Sequence, residues 1–315
     1  MRLVTFERHG QVRVGVHVLG EGGAAVLDLN EVEPELPGEM SLLLAAGEPA
    51  LARVRAAVAA ADPAALLPGA DLTLLAPVLR PGKILCVGYN YRGHAAAGAV
   101  ELPEFPEIFA KTANTVIGPG EAVILPRVSQ QVDPEAELAV VIGRRGRDIP
   151  DSEAPDHVAG YSIFNDVSAR DYQSRGSQWL LGKSFDTFGP LGPAVVTRDE
   201  VPDPQRLDLE LKVNGVVTQQ ANTRDMIFTV PFLVAYLSTV MTLEPGDIIA
   251  TGTPARLPEA KQAQRFLRPG DVMNITIGGL GTLTNTVASD EQGWSRSGRR
   301  PGATQTRSST RRGIA

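Results

Sequence analysis

Apolar and polar residues alternate at the start of the chain. Leu3 and Thr5 are followed by Val12, Val14, Val16 and Val18, a period of two that predicts a hairpin turning near His9-Gly10-Gln11. Residues 25–29 predict a third strand. Residues 49–61 are Ala-rich with helical apolar spacing and predict a short helix ending before Asp62-Pro63. Pro68-Gly69-Ala70 then reads as a linker, so residues 1–70 form a small α/β unit in this reading.

A larger body over 71–288 opens with an apolar strand at 83–88. Further strands are predicted at 122–125, 137–142, 160–165, 194–197, 207–213, 247–251 and 271–277. Turn sequences fall between them, including Asn214-Gly215, Glu244-Pro245-Gly246-Asp247 and Arg268-Pro269-Gly270-Asp271. Residues 231–241 predict the main helix, with Pro231 in its first turn and Phe232, Leu233, Tyr236, Leu237 and Val240 on one face. Many short strands and few helices make the fold class α+β and rich in strand. From 289 to 315 the chain turns to Ser, Thr, Gly and Arg, with little apolar content beyond Trp294 and Ile314, and predicts a disordered basic tail.

Composition narrows the function. Aromatic residues are 5% of the chain, so the core is built from Val, Leu, Ile and Ala. The net charge is −6; residues 289–315 carry +4, which leaves −10 on the rest. That balance argues against nucleic acid or an anionic membrane as partner. No apolar run reaches the roughly 20 residues of a membrane span; the nearest, over 42–67, is broken by Glu48, Arg53, Arg55 and Asp62. Cys86 is the one cysteine, which excludes an internal disulfide and a four-cysteine zinc site. Together with an N-terminus lacking a signal-peptide apolar region, it gives the expectation of a cytoplasmic location. No serine-hydrolase elbow, Walker loop, dinucleotide fingerprint or H-x-x-x-H pair occurs.

The chemistry concentrates in carboxylates. Glu135 and Glu137 stand two apart at the mouth of an apolar strand, a spacing that puts both on one face. Paired carboxylates are costly to bury unless a cation lies between them, and oxygen ligands suit Mg²⁺, Mn²⁺ or Ca²⁺. An isolated pair of this kind is more often a solvated strand end. Asp166, directly after apolar residues 161–164, offers a third carboxylate. Lys183 lies in a loop rich in Gly, Pro and aromatic residues; it is either an ordinary surface lysine or a charge held beside a metal.

Six blocks in order resemble the fumarylacetoacetate hydrolase family over about Pro81 to Val287. They are Val87-Gly88-Tyr89-Asn90-Tyr91-Arg92-Gly93-His94; Asp133-Pro134-Glu135-Ala136-Glu137; Asn165-Asp166-Val167-Ser168-Ala169-Arg170-Asp171; the stretch from Gln178 to Pro190; Thr251-Gly252-Thr253-Pro254; and Ile277-Gly278-Gly279-Leu280-Gly281-Thr282-Leu283. The resemblance implies a mixed β-sheet roll or sandwich, a homodimer, and a divalent metal, Mg²⁺ or Mn²⁺, on Glu135, Glu137 and Asp166. It also implies that Lys183 is catalytic, that Arg170, Gln173 and Thr253 contact substrate, and that the substrate is a small 2-oxo or β-diketo acid. Carbon–carbon hydrolysis is the first expectation. Decarboxylation or tautomerisation of a 2-oxo diacid is the alternative, and a non-catalytic metal-stabilised binding protein is the reading from another class.

The family's hydrolases use a lid histidine helped by a glutamate three residues later. Here His94 is present, but that later position is Ala97; Glu101 and Glu104 are the available substitutes. Water activation by His94 is therefore expected to be weak, while enolate stabilisation by the metal and Lys183 is not affected.

Overall fold

The computed structural model describes residues 1–20, 23–93, 102–263 and 265–293. The predicted hairpin forms: β1 (Arg2–Arg8) and β2 (Gln11–Gly20) pair antiparallel from Leu3↔Val16 to Arg8↔Gln11. β3 (Gly23–Asp28) and β4 (Leu66–Pro68) extend them. Two helices, α1 (Met40–Ala45) and α2 (Gly47–Ala59), cover one face with Leu43, Leu44 and Val54. The α2 helix stops ahead of Asp62, whose carboxylate instead caps the next turn by accepting from Ala64 N at 2.8 Å.

The N-terminal strands join a larger sheet, because Arg2 and Leu3 pair with Val196 and Val195 of β14 (Gly189–Thr197). Beyond β14 come β12 (Val158–Asn165), β11 (Ala136–Ile142), β17 (Ile248–Ala250), β6 (Ile84–Gly88) and β7 (Glu107–Lys111). The short strands β5 (Thr73–Leu75) and β8 (Val116–Ile117) attach at β1 and β14. Every residue of β11 and β12 is buried, as befits strands covered on both faces. Leu138, Val140 and Ile142 pack toward a second sheet and the main helix; Ala139 and Val141 pack toward α1 and α2.

The second sheet has the order β16 (Val216–Asn222), β15 (Asp208–Val213), β18 (Val272–Ile277), β19 (Gly281–Ser289) and β9 (Ala122–Leu125). A two-stranded piece, β10 (Val132–Asp133) with β13 (Ser168–Ala169), lies near the functional cluster. This is the strand-rich α+β fold expected.

Two expectations change. The main helix spans Val230–Val240, capped by the Thr229 side chain, but Val230, Leu233, Val234 and Leu237 face the core. Phe232 and Val240 are exposed, and Phe232 instead stacks with Phe228 and Tyr236 at 5.3 and 5.8 Å. The predicted tail also begins too early. Ser289 still pairs with Leu125, and Asp290 Oδ2 lies 2.7 Å from Arg127 Nε. Trp294 and the rest of the predicted tail lie outside the described residues.

Candidate active site

The site forms where β11 begins and β12 ends. The antiparallel register Ala136↔Asn165 sets Glu135 and Glu137 beside Asp166. Two backbone-level ties fix this junction: Asp166 N donates to Glu135 O at 2.9 Å, and Glu135 N donates to Asn165 Oδ1 at 3.1 Å. All three carboxylates are buried, and one oxygen from each lies within 4.8 Å of the others.

Lys183 belongs to this cluster and is not a surface residue. It ends the short helix α3 (Leu180–Lys183), which packs on Arg170–Gln173; a Cβ at Gly182 would come within 2.5 Å of Gln173 N, so the approach requires glycine. Lys183 Nζ donates to Glu135 Oε2 at 2.6 Å and to Asp166 Oδ2 at 2.5 Å. Burial opposes its charge, but Asp166 and Glu135 outweigh burial and push the ammonium above its usual range. Burial likewise acts to raise Glu135, yet Arg170 and Lys183 hold it well below the usual carboxylate range.

Glu137 is different. Its hydrogen bond among the described residues comes from Gly252 N at 2.9 Å. Gly252 sits at φ 97°, and a Cβ there would meet Asn90 Cβ at 2.8 Å. Burial, then Asp166, then Glu135 push the Glu137 carboxyl well above its ordinary value. Three buried carboxylates with one oxygen each converging are a donor set that could hold a hard divalent cation. The three residues fit Mg²⁺ or Mn²⁺.

Arg170 grips Asp133 Oδ2 through Nε (3.3 Å) and Nη2 (2.8 Å), Glu135 Oε1 through Nη2 (2.6 Å), and Gln173 Oε1 through Nη1 (3.0 Å). Thr253 reaches the same place, but its hydroxyl donates to Ala136 O at 2.9 Å and accepts from Gln219 Nε2 at 2.8 Å. Arg170, Gln173 and Thr253 line a cavity of about 330 Å³ together with Glu135, Glu137, Asp166 and Lys183, and its other wall is aromatic. Trp179 meets Tyr89 and Phe109 edge-to-face at 5.6 and 5.1 Å.

His94, Ala97 and Glu101 lie outside the described residues; Glu104 is exposed. Three groups escaped the sequence reading. Lys111, fully buried at the end of β7, donates to Asp166 Oδ1 at 2.6 Å and to Val167 O at 3.0 Å. Nothing in the local sequence Glu107-Ile108-Phe109-Ala110 sets it apart from a surface lysine. Asn90 holds the first block in place by bonding Phe228 O and Thr251 O. Asp133 anchors Arg170.

The chain is similar to known proteins over most of its length. The family described as fumarylacetoacetate (FAA) hydrolase C-terminal matches residues 83–288. A mitochondrial oxaloacetate tautomerase of Bos taurus is 46% identical over 289 residues, covering 91% of each chain. The crystal structure of a 2-hydroxyhepta-2,4-diene-1,7-dioate isomerase from Mycobacterium marinum is 36% identical with a TM-score of 0.73, over 92% of this chain and 99% of that one. A maleylpyruvate hydrolase from Sphingobium sp., solved with manganese(II) and pyruvate, is 33% identical with a TM-score of 0.76, over 92% and 99%. The expected cytoplasmic location does not stand, because the tautomerase relative is mitochondrial; a lone cysteine fits any reducing compartment and does not single out the cytoplasm. Among the described residues no helix is long and apolar enough to cross a membrane. Matched across about two thirds of its length by the family and across nearly all of it by these relatives, the chain belongs to the fumarylacetoacetate hydrolase family of enzymes.

Proposed function

We propose that this enzyme interconverts the keto and enol forms of a small 2-oxo diacid of the oxaloacetate type, with Mg²⁺ or Mn²⁺ held by Glu135, Glu137 and Asp166. The observation that carries the proposal is the buried Lys183 ammonium, 2.6 Å from Glu135 and 2.5 Å from Asp166 at the wall of the cavity. The likeness to an oxaloacetate tautomerase supports tautomerisation over the family's other reactions. Ala97 supports it too, since enol formation needs no water-activating glutamate. When bound, the cation would act as a Lewis acid toward the substrate's oxygens.

In this reaction the C3–H bond breaks, its electron pair becomes the C2=C3 bond, and charge collects on the C2 oxygen until that oxygen takes a proton. Lys183 Nζ donates to both Glu135 and Asp166. That suits Lys183 to a fixed cation and hydrogen-bond donor for the developing oxyanion, not to a base. His94 is the group assigned to carry the C3 proton. Arg170 and Gln173 would take a substrate carboxylate. Thr253, its hydroxyl engaged with Ala136 and Gln219, would shape the wall. We further propose that the enzyme works as a homodimer.

A second reading, carbon–carbon hydrolysis of an acylpyruvate, draws on the likeness to maleylpyruvate hydrolase. The two separate by product. Oxaloacetate and a set of acylpyruvates are followed with Mg²⁺, with Mn²⁺ and after chelation, and products are weighed by mass spectrometry. The expected result is metal-dependent keto–enol exchange of oxaloacetate with its carbon skeleton intact, and slower acylpyruvate cleavage. Brisk release of two fragments without faster enolisation contradicts the tautomerase reading.

A further inference from the structure

We infer that Arg256, on the loop after Thr253, is a positioning residue: through Asp133 it sets Arg170 for the substrate's carboxylate and adds a positive charge beside the site. The inference deepens the reading proposed above and rests on it for the identity of the ligand.

The contacts form a chain. Asp133 is 5% exposed and faces two guanidinium groups. Its Oδ2 takes Nε and Nη2 of Arg170, a two-point grip that fixes the plane of that guanidinium. Its Oδ1 lies 3.2 Å from Arg256 Nη1, too poorly aligned for a hydrogen bond, so charge is what holds it. With Asp133, Glu135 and Gln173 satisfied, four of the five N–H groups of Arg170 are engaged. The fifth, on Nη1, has no protein partner among the described residues and belongs to a side chain that lines the cavity. It is the donor available to a ligand carboxylate.

Arg256 is itself tied to the site. Its backbone bridges to Gln219. The Gln219 side chain donates to Pro254 O at 2.6 Å and accepts from Ala136 N at 2.9 Å, the residue between Glu135 and Glu137. The Arg256 side chain is 22% exposed, so it can be replaced without opening the core.

Arg256 is one of four cations, with Lys111, Lys183 and Arg170, that face Asp133, Glu135 and Asp166. Removing Arg256 takes one positive charge from beside the site. That disfavours an anionic ligand and favours a divalent cation, opposite changes that general damage to the site would not produce.

The test uses the full chain and the variants Arg256→Gln, Arg256→Lys, Asp133→Asn and the double variant Arg256→Gln/Asp133→Asn. Oxalate, a dianion resembling the 2-oxo acid end, is titrated calorimetrically into Mg²⁺-saturated protein; Mg²⁺ is titrated separately; KM and kcat are measured on oxaloacetate. For Arg256→Gln the expected result is a loss in oxalate affinity and a rise in KM of about tenfold, with kcat within about twofold and Mg²⁺ affinity equal or tighter. Arg256→Lys should recover most of the loss. In the Asp133→Asn background, Arg256→Gln should cost less than about twofold, as two residues acting through one contact require. Unchanged oxalate affinity, parallel loss of oxalate and Mg²⁺ binding, or an undiminished effect in the Asp133→Asn background would each overturn the inference. Should wild type bind oxalate with these dependences yet fail to turn over any 2-oxo diacid, the tautomerase reading fails and the role of Arg256 stands.

Discussion

Glu137 is the carboxylate whose neighbours do least to offset its charge. Asp166 is met by two lysines and Glu135 by a lysine and an arginine, while Glu137 has the Gly252 N–H. Replacing it with Gln keeps an acceptor for Gly252 and removes the charge. Divalent-metal affinity should then fall by more than about tenfold, read by calorimetry. Stability of the metal-free protein should move the other way. A carboxyl whose folded value is raised contributes stability at low pH, and that stability is lost as pH rises from about 4.5, the ordinary glutamate value, toward the folded one. Metal-free wild type should therefore lose stability over that range and Glu137→Gln should not, by denaturant unfolding at several pH values. Full metal affinity in the variant would place the cation elsewhere. That Glu135, Glu137 and Asp166 could meet was readable in the chain from strand geometry, which aligns residues two apart, but their reading as one ligand set came from the family resemblance. Lys111 was not, because its partner lies 55 residues away and nothing local distinguishes it from a surface lysine.

At the scale of elements, what sequence pattern captured depended on how many faces are buried. The hairpin β1–β2 and the apolar run of β11 were evident, one from its alternation and the other from its length of apolar residues. β14 was expected only over 194–197, because Gly189-Pro190 and Gly192-Pro193 read as breakers. The strand nonetheless continues to Gly189, which pairs with Val116 of β8. The main helix at Val230–Val240 shows the converse. It is apolar nearly all round, so periodicity did not select its buried face, and packing into the core shared with Leu138, Val140 and Ile142 did. Leu233→Ala should accordingly cost about 2–5 kcal/mol, as a buried truncation does. Phe232→Ala, at a position 38% exposed, should cost much less. Denaturant midpoints of the two variants check this; equal losses would mean that the stacked Phe228, Phe232 and Tyr236 ladder bears as much of the stability as the core-facing stripe.

On the scale of the whole molecule, the site closes through long-range pairings. Gly252 N meets Glu137 across 115 residues and Thr253 meets the Ala136 carbonyl across 117. The ends of β11 and β12, the loop after β17 and the helix that ends in Lys183 come together from distant parts of the sequence, so the geometry of the site depends on the global fold. This is also why Asp133, Asn90 and Arg256 went unread in the chain: each acts on a residue brought near by topology. The most direct measurement is exchange of the C3 hydrogens of pyruvate in deuterium oxide, followed by NMR with Mg²⁺ or Mn²⁺ for wild type and Lys183→Met. Enolate stabilisation by the metal and Lys183 predicts exchange that disappears on chelation and falls by about 10²–10³-fold in Lys183→Met while the variant still binds metal. Exchange that persists without metal, or at the wild-type rate in Lys183→Met, would contradict it.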